Sequence, residues 1–319
     1  MKEIVIVKAD SGQRFDKYLK KYLRAASNGF IYKMLRKKNI KLNGKRAEGS
    51  ERLQENDVVA LYLSDETIAK FRDAGGEKER EYPAADLSVV YEDDDFIFLN
   101  KPVGVLSQRA EREDVSLVEY LLGYMREKRE WSPGDTFTPA LCNRLDRNTS
   151  GIVLAGKNMG ALQWLSKLLK SRALEKYYLA IAEGELPQDM ELKGYLYRDE
   201  KKNQAKIFPS EEKGTAPVET HISPVRSNGR YTLLRIRLVT GKTHQIRAHL
   251  ADAGHPLLGD LKYGGKPYGT WRQQLLHAWQ VKFPGLPDYP NIGGREFTAP
   301  LPDAFQEIAD ELFGGARIK

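Results

Sequence analysis

Residues 143–155 read Asn143-Arg144-Leu145-Asp146-Arg147-Asn148-Thr149-Ser150-Gly151-Ile152-Val153-Leu154-Ala155. The first half places one carboxylate between two guanidinium groups, and a neighbouring cation favours the charged form of an acid, so Asp146 is expected to stay ionised and aimed. Asn148, Thr149, Ser150 and Gly151 are turn formers, and the apolar run Ile152–Ala155 behind them predicts a buried strand. An acid exposed beside a rigid strand is a common seat of chemistry. The competing reading, a structural salt bridge, is the commoner one for an Arg–Asp pair taken alone. Cys142, the single cysteine, lies next to this stretch. A nucleophilic thiol would want a histidine base nearby, so Cys142 reads as a small buried apolar residue.

Working outward, Leu87–Tyr91 and Phe96–Asn100 predict two strands joined by the acidic turn Glu92-Asp93-Asp94-Asp95. Those four acids lack the alternating spacing and closing Glu of a calcium loop, and a solvated hairpin turn is the better reading. Gly160–Arg172 predicts a helix with Leu162, Leu165, Leu168 and Leu169 on one face. Lys176–Gly184 predicts a strand in which Tyr177 and Tyr178 must face opposite sides of the sheet, so one is free to line a site. Tyr231–Val239 is a longer strand. It runs into Thr240-Gly241-Lys242-Thr243-His244-Gln245-Ile246-Arg247, where Thr243 is positioned to cap a helix through Leu250 and Ala253. Strands outnumber helices and most connections are too short for helical crossovers. The expectation is an α+β fold on a mixed, largely antiparallel sheet.

At 319 residues the chain exceeds the usual single-domain range of roughly 100 to 200 residues, so two domains are expected. Charge divides the chain the same way. Residues 1–63 carry 15 Lys and Arg against 7 Asp and Glu, leaving 36 against 37 for the rest. A basic module attached to a near-neutral body suggests a polyanion partner, although a solvated basic face is the bland alternative. The pattern supports the module. Phe15, Tyr18, Leu19, Tyr22 and Leu23 form one helical stripe. Ser27 is positioned to cap a second helix with Phe30, Ile31, Met34 and Leu35 inward and Lys33, Arg36 and Lys37 outward. Asn43-Gly44 is a tight hairpin signal, and Asp57–Leu63 closes with a strand. Residues 64–86, charged and interrupted by Gly75-Gly76 and Pro83, read as a linker of limited order between 1–63 and a body at 87–319. No run of about 18 apolar residues suggests a membrane span. Met1–Lys8 reads as a strand rather than a signal peptide, and one cysteine points to a reducing cytoplasm.

Several motifs fail on spacing. Gly241-Lys242-Thr243 ends like a phosphate loop, but Ile236 stands where its first glycine belongs. Thr149-Ser150-Gly151 has Asn148 where a hydrolase elbow needs glycine. His244, His249 and His255 lack the helical pairing of a zinc protease, and no glycine-rich turn of the dinucleotide type is present. No metal, nucleotide or redox cofactor is expected.

Residues 12–63 resemble the small RNA-binding domain named after small-subunit ribosomal protein four, departing at Asn28, where arginine is commoner. Residues 86–300 resemble the pseudouridine synthases that modify large-subunit ribosomal RNA. Asn100-Lys101-Pro102-Val103-Gly104 is similar to the family's opening motif, Arg144–Gly151 to its catalytic motif, Lys176–Ala180 to its tyrosine strand and Thr240–Arg247 to its third motif. His255-Pro256-Leu257-Leu258-Gly259-Asp260 follows. Asn143 and Lys242 depart from a commoner histidine and arginine. The resemblance implies that Asp146 is the nucleophile, Tyr178 the ring against the target base and helper in removing its carbon 5 proton, and Arg247 the salt-bridge partner of Asp146. It further implies that Arg144 fills the space vacated by a flipped uridine, and it puts Thr149, Lys101, His244 and Gln245 at the substrate. A stacked base is beyond reach, so the uridine must be flipped out at a cost of a few kcal/mol. Lys33, Arg36 and Lys37 would contact RNA, and the protein is expected to be a cytoplasmic monomer.

Two other readings compete. A glycosidase needs a second carboxylate at ~5 to 9.5 Å, and no companion acid is evident in the motifs. A non-catalytic RNA-binding assembly factor has no need of Asp146, Tyr178 and Arg247 together.

Overall fold

The computed structural model describes residues 1–72, 82–83 and 87–315. The N-terminal unit comprises β1 (Lys2–Val5), α1 (Phe15–Tyr22), α2 (Asn28–Arg36), β2 (Ile40–Leu42), β3 (Lys45–Arg46), β4 (Val58–Leu61) and α3 (Asp65–Arg72). Its sheet runs β1-β4-β2-β3. The helical stripes pack as their spacing requires: Phe15, Tyr18 and Leu19 of α1 and Ile31, Met34 and Leu35 of α2 share one core. Ser27 Oγ accepts from the Phe30 N–H and so caps α2. Asn43 and Gly44 both adopt positive φ (49° and 71°), the geometry of a two-residue hairpin turn. Lys33, Arg36 and Lys37 stand exposed along α2.

Residue 64 does not begin an irregular linker. Asp65–Arg72 form a helix whose Ile68 is buried in the N-terminal core and whose Phe71 packs on Phe30 with ring centroids 4.5 Å apart. The charged residues that suggested a linker occupy the outer side of that helix, and its few apolar residues suffice to dock it. Residues 73–81 and 84–86 of the expected linker, with Gly75-Gly76, lie outside the described residues.

The larger unit follows: β5 (Val89–Glu92), β6 (Phe96–Lys101), α4 (Leu117–Glu127), β7 (Ala140–Leu141), β8 (Ser150–Gly156), α5 (Met159–Ser171), β9 (Glu175–Glu183), β10 (Met190–Asp199), β11 (Gln204–Phe208), β12 (Ala216–Ser227), β13 (Tyr231–Leu238), α6 (Gln245–Asp252), β14 (Leu276–Lys282), β15 (Glu296–Thr298) and α7 (Asp303–Phe313). Its strands form one sheet in the order β11-β10-β12-β13-β9-β14-β8-β6-β5, with β15 on β14 and β7 on β8. The β8–β14 pairing is parallel and the other ladders are antiparallel, the mixed sheet expected of an α+β fold. Gly151 makes the parallel pairing possible: it has φ 110°, and a Cβ there would lie 2.2 Å from the Ala278 carbonyl oxygen.

The acidic turn Glu92–Asp95 is built into the packing rather than merely solvated. Glu92 pairs with Lys128 (2.8 Å) and Lys157 (3.0 Å), and Asp93 accepts from the N–H groups of Asp95 and Phe96. Asp95 pairs with Lys8 (2.8 Å), and Thr136 donates to Asp10 (2.5 Å), so these contacts join the two units.

Candidate active site

Asp146 lies in the loop between β7 and β8, and its chain neighbours are held by the segment following β6. One hydroxyl, Ser107 Oγ, donates to the Leu145 carbonyl (2.8 Å) and accepts from the Leu145 N–H (2.9 Å). On the other side, the Arg147 carbonyl accepts from the Gly104 N–H (2.9 Å) and from Lys101 Nζ (3.0 Å). The Thr149 N–H closes the turn onto the Asp146 carbonyl (3.0 Å). The backbone around the acid is thereby fixed, while its side chain remains 24 % exposed.

Arg247, on α6, reaches that side chain from the far end of the chain. Its Nε and Nη2 donate to the two oxygens of Asp260, each at 2.7 Å, a bidentate grip that sets the plane of the guanidinium. Nη1 is left 3.3 Å from Asp146 Oδ2. The Tyr263 ring packs against the guanidinium, 4.9 Å from centroid to carbon. Burial pulls Arg247 down, but Asp260 and then Asp146 outweigh it and hold it above its ordinary value. Tyr178, on β9, is buried next to the same carboxylate. Burial and the Asp146 charge push its hydroxyl upward, so it stays a neutral phenol. Tyr177 faces the other side of the sheet as alternation requires, with the Arg235 guanidinium 4.4 Å from its ring. A cavity of about 320 Å³ lined by Tyr177, His221, Arg235 and Arg237 lies on that side, away from Asp146.

The flanking guanidiniums are not the partners of Asp146. Arg144 and Arg147 are exposed, and among the described residues neither pairs with it. Arg144 Nη1 lies 3.5 Å from Gln108 Oε1. Side chains adjacent in sequence diverge along an extended loop, so the cation that reaches Asp146 comes from another element. Three residues expected at the substrate are hydrogen-bonded into the scaffold. Lys101 is completely buried, with its ammonium spent on the carbonyls of Pro102 (2.9 Å), Val105 (2.8 Å) and Arg147. Burial pulls it down to about 8 against the opposing effect of Asp146. Gln245 is buried with its amide oxygen accepting from Thr240 Oγ1 and the Lys242 N–H, and its nitrogen donating to the Glu219 carbonyl and Thr220 Oγ1. That network organises the start of α6 in place of the expected Thr243 cap, and His244 holds the N-cap position at φ 59°. Thr149 is buried and accepts from Gln274 Nε2. His244 sits against the carboxylate itself, Nε2 3.6 Å from Asp146 Oδ2. Cys142 has its thiol pushed up to about 12 by burial, which leaves it unreactive.

Neither Asp260 nor Tyr263 is marked as a site residue by the sequence, although Asp260 follows directly on Gly259. A usable signal was the glycine: Gly259 has φ 80°, and a Cβ there would lie 2.1 Å from the Gln273 carbonyl oxygen. The backbone before Asp260 is therefore tightly constrained.

With this geometry established, the chain belongs to the RNA pseudouridylate synthase family, which isomerises uridine to pseudouridine. The family pattern matches residues 95–252, and an S4 domain matches residues 13–59. The chain is 32 % identical to the ribosomal large subunit pseudouridine synthase C of Haemophilus influenzae, covering 98 % of this chain and 95 % of that one. It is 30 % identical to the protein of the same name from Escherichia coli K12, covering 97 % and 96 %. Among solved structures it resembles human RNA pseudouridylate synthase domain containing 4, with a TM-score of 0.58, 19 % identity, and 70 % and 92 % of the two chains covered. That last likeness shows the fold. Among the described residues no helix is long and apolar enough to cross a membrane.

Proposed function

We propose that the protein isomerises uridines of large-subunit ribosomal RNA, with Asp146 as nucleophile, Tyr178 against the target base and Arg247 holding the carboxylate. The observation that carries this reading is the state of Asp146: fixed backbone, one oxygen within reach of a buried cation, and a side chain still open to solvent. The reaction is an internal exchange. Asp146 bonds to the flipped nucleoside, the N1–C1′ bond breaks, the uracil turns, and a C5–C1′ bond forms as Asp146 is released; C5 loses a proton and N1 gains one. Atoms balance without a co-reactant. Splitting the rearrangement through a covalent intermediate replaces one hard step by easier ones. Arg144, exposed at the rim, is the residue to occupy the vacated stack. Lys33, Arg36 and Lys37 would bind structured RNA through phosphates and shape. The relatives' name supports the ribosomal substrate. We further propose that the protein acts as a cytoplasmic monomer.

The glycosidase reading loses support, since the second acid near Asp146 is Asp260, whose carboxylate is 1 % exposed and held by Arg247. Asp146→Asn should abolish pseudouridine formation on ribosomal RNA transcripts while RNA affinity stays within about threefold. Full activity in that variant would remove Asp146 from the role.

A further inference from the structure

Both groups that reach the Asp146 carboxylate converge on one oxygen. Arg247 Nη1 lies 3.3 Å and His244 Nε2 3.6 Å from Oδ2, and among the described residues no hydrogen bond reaches Oδ1. The other ring nitrogen of His244, Nδ1, is 3.0 Å from the Tyr263 hydroxyl. That hydroxyl already accepts the Ala205 N–H at 2.7 Å. A phenol carries a single hydrogen, and with Ala205 donating to its oxygen, that hydrogen is free for the neighbour able to accept it, Nδ1. A neutral imidazole accepting at Nδ1 bears its own hydrogen on Nε2, the nitrogen that faces Asp146.

We propose that Tyr263 locks His244 in the Nε2–H tautomer, so that His244 and Arg247 together hold Asp146 Oδ2 and leave Oδ1 as the oxygen that meets the nucleoside. His244 and Tyr263 are then positioning residues, and the inference rests on Asp146 being the reacting carboxylate. The 3.6 Å separation is longer than a hydrogen bond, but free enzymes commonly hold such contacts long and tighten them around substrate. Burial holds His244 below the ordinary histidine range, with Arg247 acting in the same direction and Asp146 opposing, which keeps the ring neutral. The left-handed backbone at His244, φ 59°, aims the ring between Tyr263 and Asp146, and such conformations persist where surrounding structure enforces them.

Nitrogen NMR of the full-length protein reads the tautomer directly, with His244 signals assigned by their loss in His244→Gln. The wild type should carry its ring proton on Nε2. Tyr263→Phe, which keeps the ring against Arg247 but removes the hydroxyl, should give a mixture of tautomers. Asp146→Asn should keep the Nε2–H form even though it is inactive, which separates this inference from the choice of nucleophile. His244→Ala and Tyr263→Phe should each lower kcat about tenfold with KM within about twofold, and His244→Gln, whose amide N–H reaches toward Oδ2, should recover most of the loss. A wild-type proton on Nδ1, an unchanged tautomer in Tyr263→Phe, or wild-type kcat in His244→Ala would overturn the proposal.

Discussion

On the outer face of α2, Lys33, Arg36 and Lys37 stand in solvent, and among the described residues none is held in an ion pair; around Asp146, by contrast, Arg247, Asp260 and Lys101 are almost wholly withdrawn from water and each is tied to named partners. The same kinds of charge do different work. Exposed cations add a field that attracts any polyanion, weakly directional and screened by salt. Buried ones are costly to leave unpaired, so each must be matched in distance and direction, and that matching gives the carboxylate one orientation. A binding edge tolerates approximate placement, whereas a reacting acid does not.

Three experiments press on that contrast, the first with the largest expected effect. The three histidines that burial holds below the ordinary range, His244, His249 and His277, all lie in the larger unit, so acid should attack that unit selectively. His277 is fully buried on β14 against Ser150 Oγ (2.8 Å), and burial drops it to about 4, partly offset by the Ala299 carbonyl. Its folded value lies below its unfolded one, so its contribution is present above about pH 6.5 and lost as the pH falls toward 4. The full loss is about 3 kcal/mol. All four tryptophans lie after residue 130, so urea titrations followed by tryptophan fluorescence report this unit alone. They should show its midpoint falling between pH 7 and pH 4.5, while amide exchange in α1 and α2 changes little. Equal loss in both units would erase the distinction.

Second, Asp260→Asn keeps the size of the side chain that grips Arg247 but removes its charge. We expect kcat to fall about 10- to 100-fold with RNA affinity unchanged, the pattern of a residue acting through another. A purely raised KM would instead mean that the Arg247–Asp260 pair serves binding. Third, replacing Lys33, Arg36 and Lys37 together by Ala should weaken RNA binding a few-fold and reduce the slope of log affinity against log salt by about 2, with single-turnover rate at saturating RNA preserved. An unchanged slope would show that the exposed edge does not touch phosphates.

Local sequence carried much of the fold. The stripe Phe15–Leu23, the Ser27 cap, the Asn43-Gly44 turn and the opposed faces of Tyr177 and Tyr178 are each set by interactions within a few residues, and the structure contains all of them. The helix Asp65–Arg72 was hidden by its charge, since two apolar side chains, Ile68 and Phe71, are enough to dock it. At the candidate site, the pair Asp146–Arg247 followed from family resemblance, not from spacing. Lys101 and Gln245 looked available because polar residues usually are. Here the backbone carbonyls of the 102–105 and 147 segments, and of Glu219, consume their donors.

Periodicity, turn chemistry and charge asymmetry, all properties of neighbouring residues, were enough to define a basic helical module followed by an α+β body with an acid on a turn before a buried strand. Which cation faces that acid, which of its oxygens is held, and which polar side chains are spent on the scaffold depend on residues a hundred or more positions apart, as with Asp146 and Arg247 or Thr149 and Gln274. Only chain closure brings such residues together, because a buried charge selects its partner by distance and direction, and neither is encoded by proximity along the chain.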